Sequence, residues 1–290
     1  VFYEGEKDAE RKVRTEFPYG KKQFYEGEKD AERMVRAEFP DGCKQFYEGE
    51  KGAERKVRYE FPDGRSGQKQ FYEGEKDTER KVRVEKPDGE IRFFKGAKGA
   101  ERIVRAEFPD GQKQFYEGEK DNARVVRIEH LDGNKLFYEG EKGAERMVRV
   151  ENPDGCFVYE GEKDAERMVR AESTDGFIEF FEGEKDAEHM VCVEKPGIGI
   201  LVYEGEKDAE RMVRIEFPSG QKQFFKGEKD SERKVRVECP DGDIWFFKGK
   251  KDAERKVRIE FPDDLDGDIW FFKGKKGAER RVRVEFPGGD

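Results

Sequence analysis

Apolar and polar residues alternate with a period of two in short runs along this chain. In one such run, Val35, Ala37 and Phe39 are separated by charged or variable residues, a pattern typical of a strand with one apolar face. The segment EKDAERMVRAE also contains good helix formers with acid–base pairs at helical spacing. However, the residue directly after the recurrent Val-Arg pair is mostly β-branched across the chain, for example Val84, Ile128 and Val237. β-Branched residues favour strands, so we predict a strand rather than a helix.

The same segment recurs about thirteen times, which indicates a repeat architecture. The usual spacing is 22 residues, and the few changes in length all follow the Pro-Asp-Gly region, as expected of an exposed loop. The pattern predicts one continuous repeat domain over residues 1–290. Its repeats start near residues 2, 24, 46, 71, 93, 115, 137, 158, 180, 202, 224, 246 and 271.

Each repeat is predicted to be a β-hairpin. In the second repeat the strands would be residues 23–29 and 33–39, with turns at residues 30–32 and 40–42. Pro40 presets its own φ, and Gly42 is free to take a positive φ. Glycine replaces Asp30 in four other repeats, at Gly52, Gly99, Gly143 and Gly277. This exchange indicates that the backbone conformation, and not the side chain, is what the first turn requires.

The predicted register assumes an odd-numbered turn, which collects the apolar residues on one face. On one face it pairs Tyr25 with Ala37, Gly27 with Val35 and Gln23 with Phe39. On the other face it pairs Glu26 with Arg36, Glu28 with Met34 and Phe24 with Glu38. A large exposed apolar surface normally marks an interface. The sequence therefore predicts an interface formed by Tyr25, Val35, Phe39, Tyr47, Val57, Phe61, Tyr116, Val126, Tyr138 and Val148.

The Tyr25-Glu26-Gly27-Glu28 segment with Asp41-Gly42, repeated along nearly the whole chain, resembles the MORN repeat family. MORN repeats usually carry further glycines where this chain has residues 31–36. The resemblance implies an all-β fold, an elongated and twisted antiparallel β-sheet built from about thirteen tandem hairpins in a single layer. It also implies a scaffold, often a homodimer or wrapped around a partner segment, and some members are linked to membrane attachment.

Composition and charge narrow the function classes. Charged residues make up 44% of the chain and hydrophobic residues 33%, while an aromatic share of 13% argues against disorder. The net charge of −9 gives the chain as a whole no reason to bind nucleic acid. The last two repeats are more basic, with 12 lysines and arginines against 10 acidic residues over 246–290. They predict a basic aromatic patch for an acidic partner or a membrane surface, formed by Trp245, Phe247, Lys248, Lys250, Lys251, Trp270, Phe272, Lys273, Lys275 and Lys276.

Candidate catalytic and metal-binding residues are few. His130 and His189 occupy different positions of different repeats, which does not suit a shared site. Cys43, Cys156 and two further cysteines, Cys192 and Cys239, show no C-x-x-C spacing. The aspartate-rich segment 263–268 lacks the twelve-residue pattern of a calcium loop. We therefore expect no enzyme activity, no metal and no cofactor, and unpaired thiols favour an intracellular, cytoplasmic location.

The sequence thus predicts a structural repeat protein that mediates protein–protein interaction or self-association through an extended sheet face. Two alternatives stay open: a module that associates with a membrane surface through the basic aromatic patch, and a subunit that assembles into fibres through its end strands.

Overall fold

The computed structural model describes residues 1–64, 66–261 and 267–286. This part of the chain is all-β and antiparallel, with 26 strands, and it contains no helix that could cross a membrane. The predicted fold class, an antiparallel array of tandem hairpins, is confirmed. The chain forms two compact units, residues 1–145 and 146–290. Most of the aspartate-rich segment lies outside the described residues.

The first unit contains thirteen strands, and strands that follow one another within the unit pair antiparallel. They are β1 (Phe2–Glu4), β2 (Arg11–Glu16), β3 (Lys22–Glu26), β4 (Arg33–Glu38), β5 (Lys44–Glu48), β6 (Arg55–Glu60), β7 (Lys69–Glu73), β8 (Arg80–Glu85), β9 (Ile91–Lys95), β10 (Arg102–Glu107), β11 (Lys113–Glu117), β12 (Arg124–Glu129) and β13 (Lys135–Glu139).

The second unit repeats this arrangement with thirteen strands of its own, again paired in chain order. They are β14 (Arg146–Asn152), β15 (Gly155–Glu160), β16 (Arg167–Ser173), β17 (Ile178–Glu182), β18 (His189–Lys195), β19 (Gly199–Glu204), β20 (Arg211–Glu216), β21 (Lys222–Lys226), β22 (Arg233–Glu238), β23 (Ile244–Lys248), β24 (Arg255–Glu260), β25 (Ile269–Lys273) and β26 (Arg280–Glu285).

The first strand of each hairpin is shorter than predicted. In the second repeat β3 ends at Glu26 instead of residue 29, because Gly27 takes a φ of 121° and leaves the strand. The turn that follows is closed by the N–H of Ala31, which donates to the carbonyl of Glu28 over 3.0 Å. Asp30 has a φ of 63°, and Gly52, its counterpart in the third repeat, has a φ of 82°. The predicted backbone requirement at this turn is confirmed.

The predicted register is wrong. Gln23, not Tyr25, pairs with Ala37, and Tyr25 pairs with Met34. A β-bulge interrupts the ladder here, so that Val35 is the extra residue without a Cα partner. In the outer half of the ladder, at Gln23 and Phe24, each partner lies two residues earlier in the chain than predicted. In the inner half, at Tyr25 and Glu26, the bulge increases this difference to three residues. A shift of two residues preserves the face of a side chain, so the outer half keeps the predicted separation of faces.

The two faces of the sheet differ in burial. We call the face that carries Gln23, Tyr25, Met34, Ala37 and Phe39 and their equivalents the core face. The buried apolar side chains of the described residues lie on it, and most occupy the position of Ala37: Ala37, Val84, Ala106, Ala171, Val193, Val237 and Ile259, with Cys43 and Leu201 at neighbouring positions. The core is thus a single row of small and β-branched residues across each unit.

We call the opposite face, which carries Phe24, Glu26, Arg33, Arg36 and Glu38 and their equivalents, the arginine face. The guanidinium group of Arg36 lies 4.0 Å from the centre of the Phe24 ring. Its Nε also lies 3.4 Å from a carboxylate oxygen of Glu38. Equivalent arginine–phenylalanine contacts recur along both units. Most side chains of this face are half-exposed, and those at the position of Glu26 are exposed.

Candidate interaction surfaces

A recurrent glutamate joins each repeat to the one before it. Next to the bulge, β2 and β3 pair only over three residues, from Arg14 to Glu16, so the N–H of Lys12 has no ladder partner on that side. The Glu32 carboxylate of the next repeat accepts this N–H over 2.9 Å. The same contact joins Lys81 to Glu101 over 3.1 Å, and it recurs in both units.

Two basic side chains complete the connection between repeats. The Nζ of Lys29 donates to the carbonyl of Asp8 in the preceding repeat over 2.9 Å. In the other direction, Arg11 donates to the carbonyl of Gly27 in the following repeat over 3.2 Å. Both contacts recur at the same spacing. The recurrent charges of the Gly-Glu-Lys-Asp-Ala-Glu-Arg segment therefore hold successive repeats together.

These contacts change the acidity of the glutamates. Burial alone would raise the pKa of Glu101, but N–H bonds from its own amide, Lys81 and Gly99 outweigh that effect, so its pKa lies below the usual value. At Glu32 the N–H of Lys12 is the main cause of the lowered pKa. The pKa values of Glu54, Glu79, Glu166, Glu210, Glu254 and Glu279 are lowered as well. The carboxylates are thus held ionised by the fold.

The tyrosines of the predicted interface lie on the core face. The Tyr25 hydroxyl donates to the Gln23 side chain over 2.8 Å, and Tyr72 and Tyr116 make the same contact in their repeats. Burial raises the pKa of Tyr47 and Tyr116. These residues are half-buried, so their rings line the core row while part of each ring still faces solvent. Tyr138 lies on β13 at the same repeat position.

The predicted phenylalanines also belong to the core face. Phe39 follows β4 and donates its N–H to the carbonyl of Cys43 across the second turn. The ring of Phe61 meets the ring of Tyr59 edge-on, with 4.5 Å between ring centres. Together with the tyrosines, these rings form a half-exposed aromatic border beside the buried row.

The valines of the predicted interface do not share this face. Val35 lies at the bulge and lines a shallow hollow with Phe24, Arg36 and Phe46, which are residues of the arginine face. Val57 and Val126 are skipped in the same way by the pairing of their hairpins, and Val148 lies on β14 at the same repeat position. The face assignment of Val35, Val57 and Val126 is corrected because a bulge changes the alternation that the sequence pattern assumed.

The predicted basic aromatic patch is divided between the two faces. Trp245, Phe247, Trp270 and Phe272 lie on the core face, since Trp245 pairs with Val237 and Ile259. Lys248 and Lys273 lie on the arginine face, at the position of Glu26. The remaining lysines, Lys250, Lys251, Lys275 and Lys276, lie at the hairpin tips, where Lys251 and Lys276 donate to the carbonyls of Asp230 and Asp252.

The cations that contact the tryptophans are not members of the predicted basic aromatic patch. Lys256 Nζ lies 3.9 Å from the centre of the Trp245 ring, and Arg281 lies 4.4 Å from the centre of the Trp270 ring. Lys12, which has the same repeat position as Lys256 and Arg281, covers the ring of Tyr25 in the first unit. Only the bulged register shows that this position shares a face with the aromatic rings.

The histidines and cysteines are the side chains of the described residues most suited to metal binding or nucleophilic chemistry. Within the described residues, no group of three or more metal-ligating side chains comes together. The cysteines are not paired with one another, and burial raises the pKa of Cys192 and of Cys239. A raised pKa lowers the thiolate fraction, so these two thiols are not activated as nucleophiles.

Comparisons with known proteins give only distant similarities. No protein-family model matches the chain, and the comparison with curated proteins gave no match. Among solved structures, the chain is similar to TcdB2-TccC3, with 9% identity and a TM-score of 0.18 over 96% of this chain and 21% of that one. It is also similar to the Photorhabdus luminescens Tc holotoxin pore with the TccC3-D651A mutation, with 8% identity and a TM-score of 0.17 over 92% and 22%. The chain spans about a fifth of these proteins, and a similarity this weak assigns no family.

Proposed function

We propose that this protein is a non-enzymatic scaffold that binds protein surfaces, a second copy of itself included, through the core face. The observation that supports this most is the use of the recurrent charges. Glu32, Lys29 and Arg11, and their equivalents, contact the neighbouring repeat instead of facing one shared site. Repetition therefore builds a regular surface, and a surface of this kind suits binding more than catalysis.

The core face is the better candidate of the two for contact with protein. It presents half-exposed tyrosine and phenylalanine rings next to glutamine side chains, for example Tyr47 with Gln45. Aromatic side chains with a polar tip dominate protein interfaces because they bury a large area at low entropic cost. On the arginine face, by contrast, many rings are covered by a guanidinium group, as Phe46 is by Arg58. The resemblance to MORN repeats points in the same direction.

Two neighbouring residues allow a matched test of this proposal. Tyr47 and Phe46 are adjacent in β5 and point to opposite faces. We would replace each one separately by a photo-crosslinking phenylalanine analogue in the purified protein. Irradiation should give intermolecular crosslinks from position 47 and few or none from position 46. Equal crosslinking from both positions, or crosslinking from position 46 alone, would contradict the assignment of the interface to the core face.

A further inference from the structure

One row of side chains on the arginine face changes its charge pattern near the end of the second unit. In most repeats the position of Glu26 is acidic and pairs with an arginine, as Glu26 pairs with Arg33. In the last three repeats this position is a lysine, and the pairs become Lys226–Arg233, Lys248–Arg255 and Lys273–Arg280. Six successive strands, β21 to β26, thus carry a cation each in a single row, which we call the cationic row.

The cationic row is costly for the fold, which argues for a role outside it. Like charges directly opposite each other on paired strands destabilise a sheet. The glutamate that avoids this cost is present at the equivalent position of nine repeats, for example Glu160 and Glu204. The first unit has a single such lysine, Lys95 opposite Arg102, so only the last three repeats place these cations in succession. Positions where a chain departs from its own local rule without a compensating contact are expected to be functional. Lys226, Lys248 and Lys273 are exposed, so their charges are available to a ligand.

The dimensions of the cationic row suit a linear polyanion. Within each hairpin the lysine and the arginine face each other on paired strands, and at about 4.8 Å per strand six cations on six strands span roughly 24 Å. Single-stranded nucleic acid carries one phosphate per nucleotide at a comparable spacing, and binding to lysine and arginine releases its condensed counterions. A strand that follows the cationic row would cross all six β-strands of these repeats.

A second row, beside the cationic row in the same repeats, consists of arginine side chains stacked on phenylalanine rings. The guanidinium group of Arg258 lies 4.5 Å from the centre of the Phe246 ring, and Arg236 covers Phe224 at 5.2 Å. Guanidinium planes and aromatic rings are the groups on which unpaired bases stack. An acidic peptide has no comparable use for these stacked planes, so they favour nucleic acid as the ligand.

The third row of the arginine face carries acidic residues, which argues against an anionic membrane as the ligand. Glu238 and Glu260 lie on it, each in an ion pair with the arginine two residues earlier, and Ile244 lies between them. A membrane would have to cover these glutamates together with the lysines, whereas a narrow strand can contact the cationic row alone. The tryptophans that would anchor a membrane, Trp245 and Trp270, lie on the other face.

From these observations we propose that the cationic row of β21 to β26, with the neighbouring arginine–phenylalanine row, binds single-stranded nucleic acid through its phosphates and stacked bases. The expectation from net charge was that nucleic acid would not bind. That expectation averages over the chain, whereas the six cations concentrate charge in one row. This inference is independent of the scaffold function proposed for the core face.

The test is binding of a fluorescent oligothymidylate of about ten nucleotides, a length within the usual site size for such strands. We expect binding at low salt with a slope of log affinity against log salt of about −4, that is about 0.7 for each of six phosphates. This slope corresponds to a loss of about 300-fold in affinity between 50 and 200 mM salt.

Two triple variants make the test specific to the cationic row. Lys226→Gln, Lys248→Gln and Lys273→Gln together should bring the slope to about −2 and weaken binding at low salt by at least about tenfold. The control is Lys44→Gln, Lys69→Gln and Lys113→Gln, which removes the same charge from lysines of the same face. Lys44, for instance, stands between Glu38 and Glu60. The control should leave binding unchanged.

The proposal also predicts that restoring the common glutamate abolishes binding without loss of the fold. Lys226→Glu, Lys248→Glu and Lys273→Glu should give a protein at least as stable as the parent, with no detectable oligothymidylate binding. The proposal is overturned if the parent does not bind at low salt, or if the two glutamine variants lose affinity equally. It is equally overturned if polyglutamate or vesicles with anionic lipid bind more tightly than oligothymidylate.

Discussion

The contact between Glu101 and the preceding repeat gives the sharpest test of how the repeats are held together. The Glu101 carboxylate accepts the N–H of Lys81 over 3.1 Å and the N–H of Gly99 over 3.0 Å. A hydrogen bond to a charged group contributes about 1.5–3 kcal/mol, and Glu101→Ala removes both acceptors. Because the freed N–H groups gain some access to water, we expect a local loss of about 2 kcal/mol at the Lys81 amide.

Hydrogen exchange measures this loss at the atom that makes the contact. A change of about 2 kcal/mol corresponds to roughly 30-fold faster exchange of the Lys81 amide. Glu101→Gln keeps one acceptor oxygen and should give a smaller increase. The matched control is Glu119→Ala, which removes an exposed glutamate two residues after β11 and should change exchange by less than about threefold. Unchanged exchange at Lys81 in Glu101→Ala, or an equal effect of Glu119→Ala, would refute this account of the contacts between repeats.

Three further predictions concern acid stability and the two turn positions. The folded pKa values of glutamates such as Glu101 and Glu166 are lowered. The stabilisation that these glutamates provide is therefore complete above the ordinary glutamate pKa of about 4.3, and it is lost as pH falls through the lowered pKa values. Melting temperatures recorded by circular dichroism should fall steeply below about pH 4, and a flat profile down to about pH 2 would contradict this. Gly96→Ala should destabilise the protein by more than about 2 kcal/mol in urea unfolding, since a Cβ would lie 2.4 Å from the carbonyl oxygen of Ala100, and a neutral result would contradict the geometry. Asp77 has a φ of 65°, so Asp77→Ala should cost about 1 kcal/mol while Asp77→Gly should cost less than about 0.5 kcal/mol, and equal costs would show that the backbone conformation is not what this position requires.

The repeat pattern made the hairpins and their faces predictable for the outer half of each strand pair. Comparison of the repeats identified the residues around Ala37 as a strand in spite of a helix-forming composition, and that strand contains the most buried row. The exchange of Asp30 with glycine likewise predicted a backbone conformation that the structure shows. These features depend on local alternation and local backbone preference, which a sequence reports directly.

The bulge and the contacts between repeats were not predictable in the same way. A bulge adds one residue to one strand, so the alternation around Val35 looks regular in sequence although the pairing is not. The role of Glu32 depends on a gap in the ladder between β2, which belongs to the preceding repeat, and β3, and only the register reveals this gap. The sequence pattern assigned no partner to Glu32, and the structure shows that it contacts the neighbouring repeat.

The basic aromatic patch was predicted wrongly because the sequence does not show how residues are divided between the two faces. Trp245 and Lys248 are three residues apart and looked like members of one surface. The strand places them on opposite faces, and Lys248 instead lines up with Lys226 and Lys273 from the neighbouring repeats. Proximity in sequence was misleading here, whereas the same position in successive repeats predicted proximity in space.

The central claim is that the core face of this repeat array binds protein, with a second copy as one occupant. The most direct measurement is the mass of the purified protein by light scattering as its concentration increases. We expect a rise from 33.9 kDa, the mass of one chain, towards at least twice that value. A mass that stays at 33.9 kDa over the whole concentration range would contradict self-association through this face.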